Sequence, residues 1–121
     1  MNFSHLQELA KKLPTGLTDP RAAQKLARER AELEHHLSIG DALGAALEAG
    51  DVAYYAAKAL ANGLLDEAQA EDAVREAAQA AGLDVQTVFA VAVAKYQLRA
   101  RPGNPKDDEA ERAAAKRVLG W

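Results

Sequence analysis

Apolar residues recur along this chain at helical spacing, and no stretch sustains the β-branched alternation of a strand. Ser4 followed by Gln7 has the spacing of a capping box and predicts a short helix to about Lys12. Leu13 to Asp19, LPTGLTD, carries Pro and Gly and reads as a loop. Asp19-Pro20, an acceptor followed by proline, predicts the start of a second helix that runs to about Leu37. Gly40 supplies its stop, and Asp41 is the next N-cap. The third helix, LGAALEAGDVAYYAAKAL from Leu43 to Leu60, is apolar on most of its circumference and ends near Asn62-Gly63. Asp66 caps a fourth helix, EAQAEDAVREAAQAA, closed by Gly82. Asp84 caps a fifth, VQTVFAVAVAKYQLRA. Arg101 to Pro105 is a loop, and Asp107 to Leu119 forms a last, charged and alanine-rich helix, predicted to be partly exposed. The expected fold is all-α: a single domain over residues 1–121, built as a bundle of five or six helices.

Two carboxylates break the apolar pattern of the third helix. Glu48 and Asp51 are three apart and share a face. A carboxylate in so apolar a helix is costly to bury unpartnered, so this face meets either water or a cation. In the second helix Ala22, Leu26, Leu33 and Leu37 form an apolar stripe. At 100° per residue Glu29 lies about 60° from Leu26, with Lys25, Glu32 and His36 just beyond. On the third helix Asp41, Gly44, Glu48, Asp51, Tyr55 and Lys58 form one polar stripe. The short SIG connection favours antiparallel packing, which sets Glu29-Arg-Ala-Glu32 against Glu48-Ala-Gly-Asp51. Four converging carboxylates repel one another, and a divalent cation is the usual remedy. The plainer reading is that Glu29 and Glu32 face solvent beside Lys25, Arg28 or His36, and that Glu48 and Asp51 are a wet edge.

Composition narrows the classes of function. The 121 residues are 49% hydrophobic and 27% charged, which is ordinary for a folded domain. Aromatics are only 5%, so the core is made of small side chains and closely packed helices. A net charge of −3 argues against a nucleic-acid surface while leaving a nucleotide substrate open. With no cysteine, disulfides, thiolate catalysis and Cys-based zinc sites are excluded. The start of the chain lacks a signal-like apolar run, and the longest unbroken apolar run, Val88 to Ala94, is far short of a membrane span. The expected compartment is the cytoplasm. His35-His36 lacks an HExxH context and reads as a surface pair. The nearly all-round apolar stretch Val85 to Val93 predicts a subunit interface, and hence a homodimer or homotetramer.

The sequence Glu29-Arg-Ala-Glu32, fifteen intervening residues, then Glu48-Ala-Gly-Asp51 resembles the ExxE…ExxD signature of MazG-like, all-α nucleoside triphosphate pyrophosphohydrolases. Gly82-Leu-Asp84 with Lys95-Tyr96-Gln-Leu-Arg99 is similar to the downstream Gly-Ile-Asp…Lys-Phe-x-x-Arg segment of that family. The resemblance spans about Leu26 to Arg99. It implies hydrolysis of an NTP or dNTP to the monophosphate and pyrophosphate, with a role in nucleotide-pool housecleaning. It further implies that Glu29, Glu32, Glu48 and Asp51 hold Mg²⁺ (or Mn²⁺) and carry the catalysis, and that Lys95 and Arg99 meet phosphate oxygens. Tyr55 and Lys58 lie on the same stripe and are expected to contact substrate. The chain departs from the pattern at Arg28 and Val93 and in a helix over residues 64–81. Two other readings stay open: a phosphoribosyl-ATP pyrophosphatase-like enzyme, and a non-catalytic helical interaction or nucleotide-sensing protein.

Overall fold

The computed structural model describes residues 1–121 as six helices without strands. They are α1 (Phe3–Ala10), α2 (Ala22–Ser38), α3 (Ala42–Ala61), α4 (Glu67–Ala81), α5 (Val85–Arg99) and α6 (Asp108–Leu119). The bundle is assembled around α3, which packs on all five others. Of its 20 residues 15 are buried, among them Ala45, Ala49, Ala53, Ala56 and Ala57. Such small side chains let neighbouring helices come close, so a chain with few aromatics still closes a continuous core. Leu6, Leu26, Leu33, Val52, Val74 and Val88 supply its larger apolar volume.

Three helix starts follow their sequence signals, and Asp107, read as the first residue of the last helix, caps it in the same way. The side chains of Asp41, Asp66, Asp84 and Asp107 accept from the backbone N–H groups of Gly44, Gln69, Thr87 and Ala110. The first two helices begin differently from expectation. Asn2, not Ser4, caps α1, and the Ser4 hydroxyl donates to the Asn2 side chain at 2.8 Å; the helix ends at Ala10 rather than near Lys12. α2 begins at Ala22 behind Arg21, with no side-chain cap. Asp19 still accepts from the Arg21 N–H at 3.0 Å, but its other oxygen is drawn to two lysines. Leu37, expected on the apolar stripe, is exposed near the end of α2.

The tight turn at Ile39–Asp41 folds α2 back along α3. The pairs Asp19–Lys58 and His36–Asp41 show that the two helices run antiparallel. α5 comes unusually near α3 because Gly50 stands at the crossing: a Cβ there would sit 3.2 Å from the Ala92 nitrogen. α5 also meets α1, α4 and α6, which bury Val88, Val91 and Ala92, while Val85, Phe89 and Val93 are only partly covered and Ala90 is exposed. α6 is bound through Ala114, Ala115 and the buried Glu111. No single helix is long and apolar enough to cross a membrane.

Candidate functional site

Antiparallel α2 and α3 place Glu29 beside Glu48 and Asp51, with one oxygen of each carboxylate within 4.8 Å of the others. Glu48 belongs to a second group as well, in which Glu32 and the His36 ring contribute ligand-capable atoms at the same spacing. All four acids of the two sequence motifs therefore gather around Glu48. They differ in burial: Glu29 and Asp51 are buried, Glu48 is half-buried, and Glu32 is exposed.

Glu48 is the least satisfied member. Its Oε1 lies 3.7 Å from His36 Nε2, while its Oε2 is buried without a hydrogen-bond partner. Burial, then the adjacent Glu29 carboxyl and the charge of Asp51, push its pKa from the ordinary 4.5 up to about 9; Lys95 opposes the rise. His36 is held in place by the Asp41 carboxylate, 3.1 Å from Nδ1. Gly44 makes room for that contact, since a Cβ there would collide with both groups.

Asp51 has its cation within the chain. Lys95 Nζ lies 2.8 Å from Oδ1 and donates to Oδ2 at 2.9 Å, and the Tyr96 hydroxyl donates to Oδ1 at 2.9 Å. Burial and the Asp51 charge raise the Tyr96 pKa well above its usual value, which keeps that hydroxyl a donor. Arg99, one turn after Lys95, donates to Glu111 through Nε at 2.9 Å and Nη2 at 3.2 Å. Burial works against the guanidinium charge, but the Glu111 bonds outweigh it and raise the Arg99 pKa.

These groups wall a cavity of about 390 Å³ between α2, α3 and α5, where Tyr55, Lys95, Arg99 and Lys106 face the four acids. A second cavity of about 310 Å³ lies across Glu48 and Lys95, bordered by His36, Asp108, Glu111 and Arg112. These converging carboxylates, one with a buried unpartnered oxygen, are oxygen donors that could hold a metal ion. The basic wall beside them fits an anionic ligand.

Lys58 is the one predicted site residue that the structure does not bring here. It is 1% exposed, its ammonium 3.1 Å from Asp19 Oδ2 and above the rings of Tyr54 and Tyr55. It shares the angular stripe of Asp51, but seven residues of helix separate them by about 10 Å along the axis. Sequence reasoning set His36 aside as a surface residue, although it lies on the edge that carries Glu29 and Glu32. It did not single out Glu111, whose signal was a carboxylate in register with Ala114 and Ala115. Lys106 and Asp108, in and just after a loop, offered no periodic signal. Neither the known protein families, nor curated protein sequences, nor solved structures contain a match to this chain.

Proposed function

We propose that this protein hydrolyses nucleoside triphosphates between the α- and β-phosphates, with Mg²⁺ or Mn²⁺ held by Glu29, Glu32, Glu48 and Asp51. The observation that carries the reading is the buried, unpartnered Glu48 oxygen among converging carboxylates, with Lys95, Arg99 and Lys106 on the same cavity. The order of the acidic motifs and their resemblance to the MazG-like pattern supply the reaction type. When bound, the cation would offset the triphosphate charge and make water a better nucleophile.

The chain's own groups do the rest. Lys95 and Arg99 bind phosphate oxygens and counter the charge that grows on the leaving pyrophosphate. The oxygen of a water molecule bonds to one of the phosphorus atoms flanking the α–β bridge. The bond from that phosphorus to the bridging oxygen breaks, and the water's proton passes to one of the glutamates. The products are a monophosphate and pyrophosphate. Release of pyrophosphate from a panel of NTPs and dNTPs, with Mg²⁺ and with Mn²⁺, tests this. Turnover of at least one nucleotide, lost in Glu48→Gln, is expected. Failure of the folded protein on every nucleotide overturns it.

The direct Lys95–Asp51 ion pair favours a second reading, in which the site senses a nucleotide without turning it over. Saturable nucleotide binding without pyrophosphate release would select it.

A further inference from the structure

His36 stands on α2, but its ring is held by α3. Nδ1 lies 3.1 Å from Asp41 Oδ2. A carboxylate only accepts, so Nδ1 carries the proton of that bond, and in the neutral ring Nε2 keeps a free lone pair. Asp41 is itself fixed: its Oδ1 accepts from the Gly44 N–H at 2.9 Å, as the cap of α3, and from Arg112 of α6 at 3.4 Å. A Cβ on Gly44 would collide with both Asp41 and His36, so the pair depends on glycine at that position. A carboxylate behind an imidazole is the usual support of a metal-ligating histidine, because it fixes the tautomer and the direction of the other nitrogen.

That nitrogen faces the acids. Nε2 lies 3.7 Å from Glu48 Oε1, too far for a hydrogen bond, and the other Glu48 oxygen is buried without a partner. Glu32, one turn before His36 on α2, brings a carboxylate oxygen so that ligand atoms of all three residues lie within 4.8 Å of one another. Ligands of one octahedral ion stand about 3 to 4 Å apart, so a gap too wide for a hydrogen bond suits an ion between the groups. Asp51 has less to offer, because Lys95 holds both its oxygens and Tyr96 also donates to Oδ1.

We propose that His36 Nε2 is a ligand of the divalent cation, beside Glu32 and Glu48, and that this nitrogen makes the site prefer first-row transition ions such as Mn²⁺ to Mg²⁺. The inference rests on the cation of the reading above and adds a ligand that lies outside both acidic motifs. Mg²⁺ keeps to oxygen donors and gives up its waters reluctantly, whereas imidazole nitrogen suits transition ions. A site made of carboxylates alone has no such means of telling the two apart. Here the means is a ring oriented by Asp41, with Gly44 leaving it room.

Titration of the metal-free full chain with Mn²⁺ and with Mg²⁺, together with pulsed electron spin resonance of the bound Mn²⁺, tests the assignment. The wild type should bind Mn²⁺ at least about tenfold more tightly than Mg²⁺, and the Mn²⁺ echo should carry nitrogen modulation. His36→Gln should abolish that modulation, weaken Mn²⁺ binding by about tenfold and leave Mg²⁺ within about threefold. The proposal is overturned if Mn²⁺ on the wild type shows no nitrogen signal, if the signal survives in His36→Gln, if the substitution weakens both ions alike or neither, or if neither ion binds. The nitrogen signal is read on the wild type itself, so the proposal stays exposed to refutation even where His36→Gln fails to fold. Absence of pyrophosphate release from every nucleotide with the nitrogen signal intact would refute hydrolysis and support the ligand. Turnover without a nitrogen signal would refute only the ligand.

Discussion

Two buried charge clusters lie along the same α2–α3 pair, and they are resolved in opposite ways. Near the start of α2, one carboxylate meets two ammonium groups: Asp19 Oδ2 is 2.8 Å from Lys25 and 3.1 Å from Lys58. Burial works against the Asp19 charge, but those lysines and the Arg21 N–H outweigh it and lower its pKa to about 2. Farther along, Glu29, Glu48 and Asp51 converge, and the buried ammonium among them, Lys95, is spent on Asp51. There the pKa of Glu48 moves the other way, to about 9. The Asp19 cluster is matched within the chain and holds the loop before α2 onto α3. In the Glu48 cluster Asp51 is paired with Lys95 and Glu29 with Arg28, while Glu48 meets no lysine or arginine and holds its proton instead, an arrangement more typical of a site than of a brace.

Opposite signs are therefore expected when each cluster is broken. Asp19→Asn leaves Lys58 buried without its counter-charge and should cost about 3 kcal/mol in urea denaturation. A loss below about 1 kcal/mol would show that this pair braces nothing. Glu48→Gln, in contrast, should lower pyrophosphate release by at least about 100-fold without loss of the fold. A fully active, folded variant would remove Glu48 from the machinery.

The next effect in size concerns Gly50, whose missing side chain lets Lys95 reach Asp51. Gly50→Ala places a methyl against the Ala92 backbone and should cost about 1–3 kcal/mol of stability. Activity should fall with it, because the α3–α5 spacing sets the site. Unchanged stability would mean that α5 shifts freely, and then the Asp51–Lys95 geometry is not fixed by this crossing.

The last effect is read in the pH dependence. Below pH 4.5 Glu48 is protonated in both folded and unfolded chains. As pH rises from 4.5 toward about 9 the unfolded chain ionises there while the folded one resists, so metal-free stability falls. Glutamine does not ionise. The Tm of Glu48→Gln should therefore exceed that of the wild type by a margin that widens across this window. For Asp19 the sign reverses: its stabilisation is present above pH 3.8 and is lost as pH falls through about 2. Parallel melting curves for Glu48→Gln and wild type at every pH would refute the raised pKa.

Much of this contrast was legible in the residues. The acids of α3 stood out because nothing else in that helix was charged except Lys58, and the period of α2 set Glu29 and Glu32 on the facing edge. The N-caps at Asp41, Asp66 and Asp84 were legible because their hydrogen bonds are local, three residues away. What stayed hidden depends on partners distant in sequence. Asp19 looks like an N-cap until Lys58 is folded against it. Lys58 looks like a site residue until its axial distance from Asp51 is fixed. Glu111 belongs to a helix whose charges are mostly solvated, and only the approach of α6 to Arg99 distinguishes it. Lys106 gains meaning from a loop whose path no periodicity encodes.

The central claim is that the acids around Glu48 form a divalent-cation site, and direct titration of the metal-free protein with Mn²⁺ tests it most plainly. The account predicts saturable binding that tightens as pH rises, with proton release, and that is lost in Glu48→Gln and weakened in Asp51→Asn. Binding unchanged by Glu48→Gln, or no saturation at millimolar Mn²⁺ by the folded protein, would contradict it.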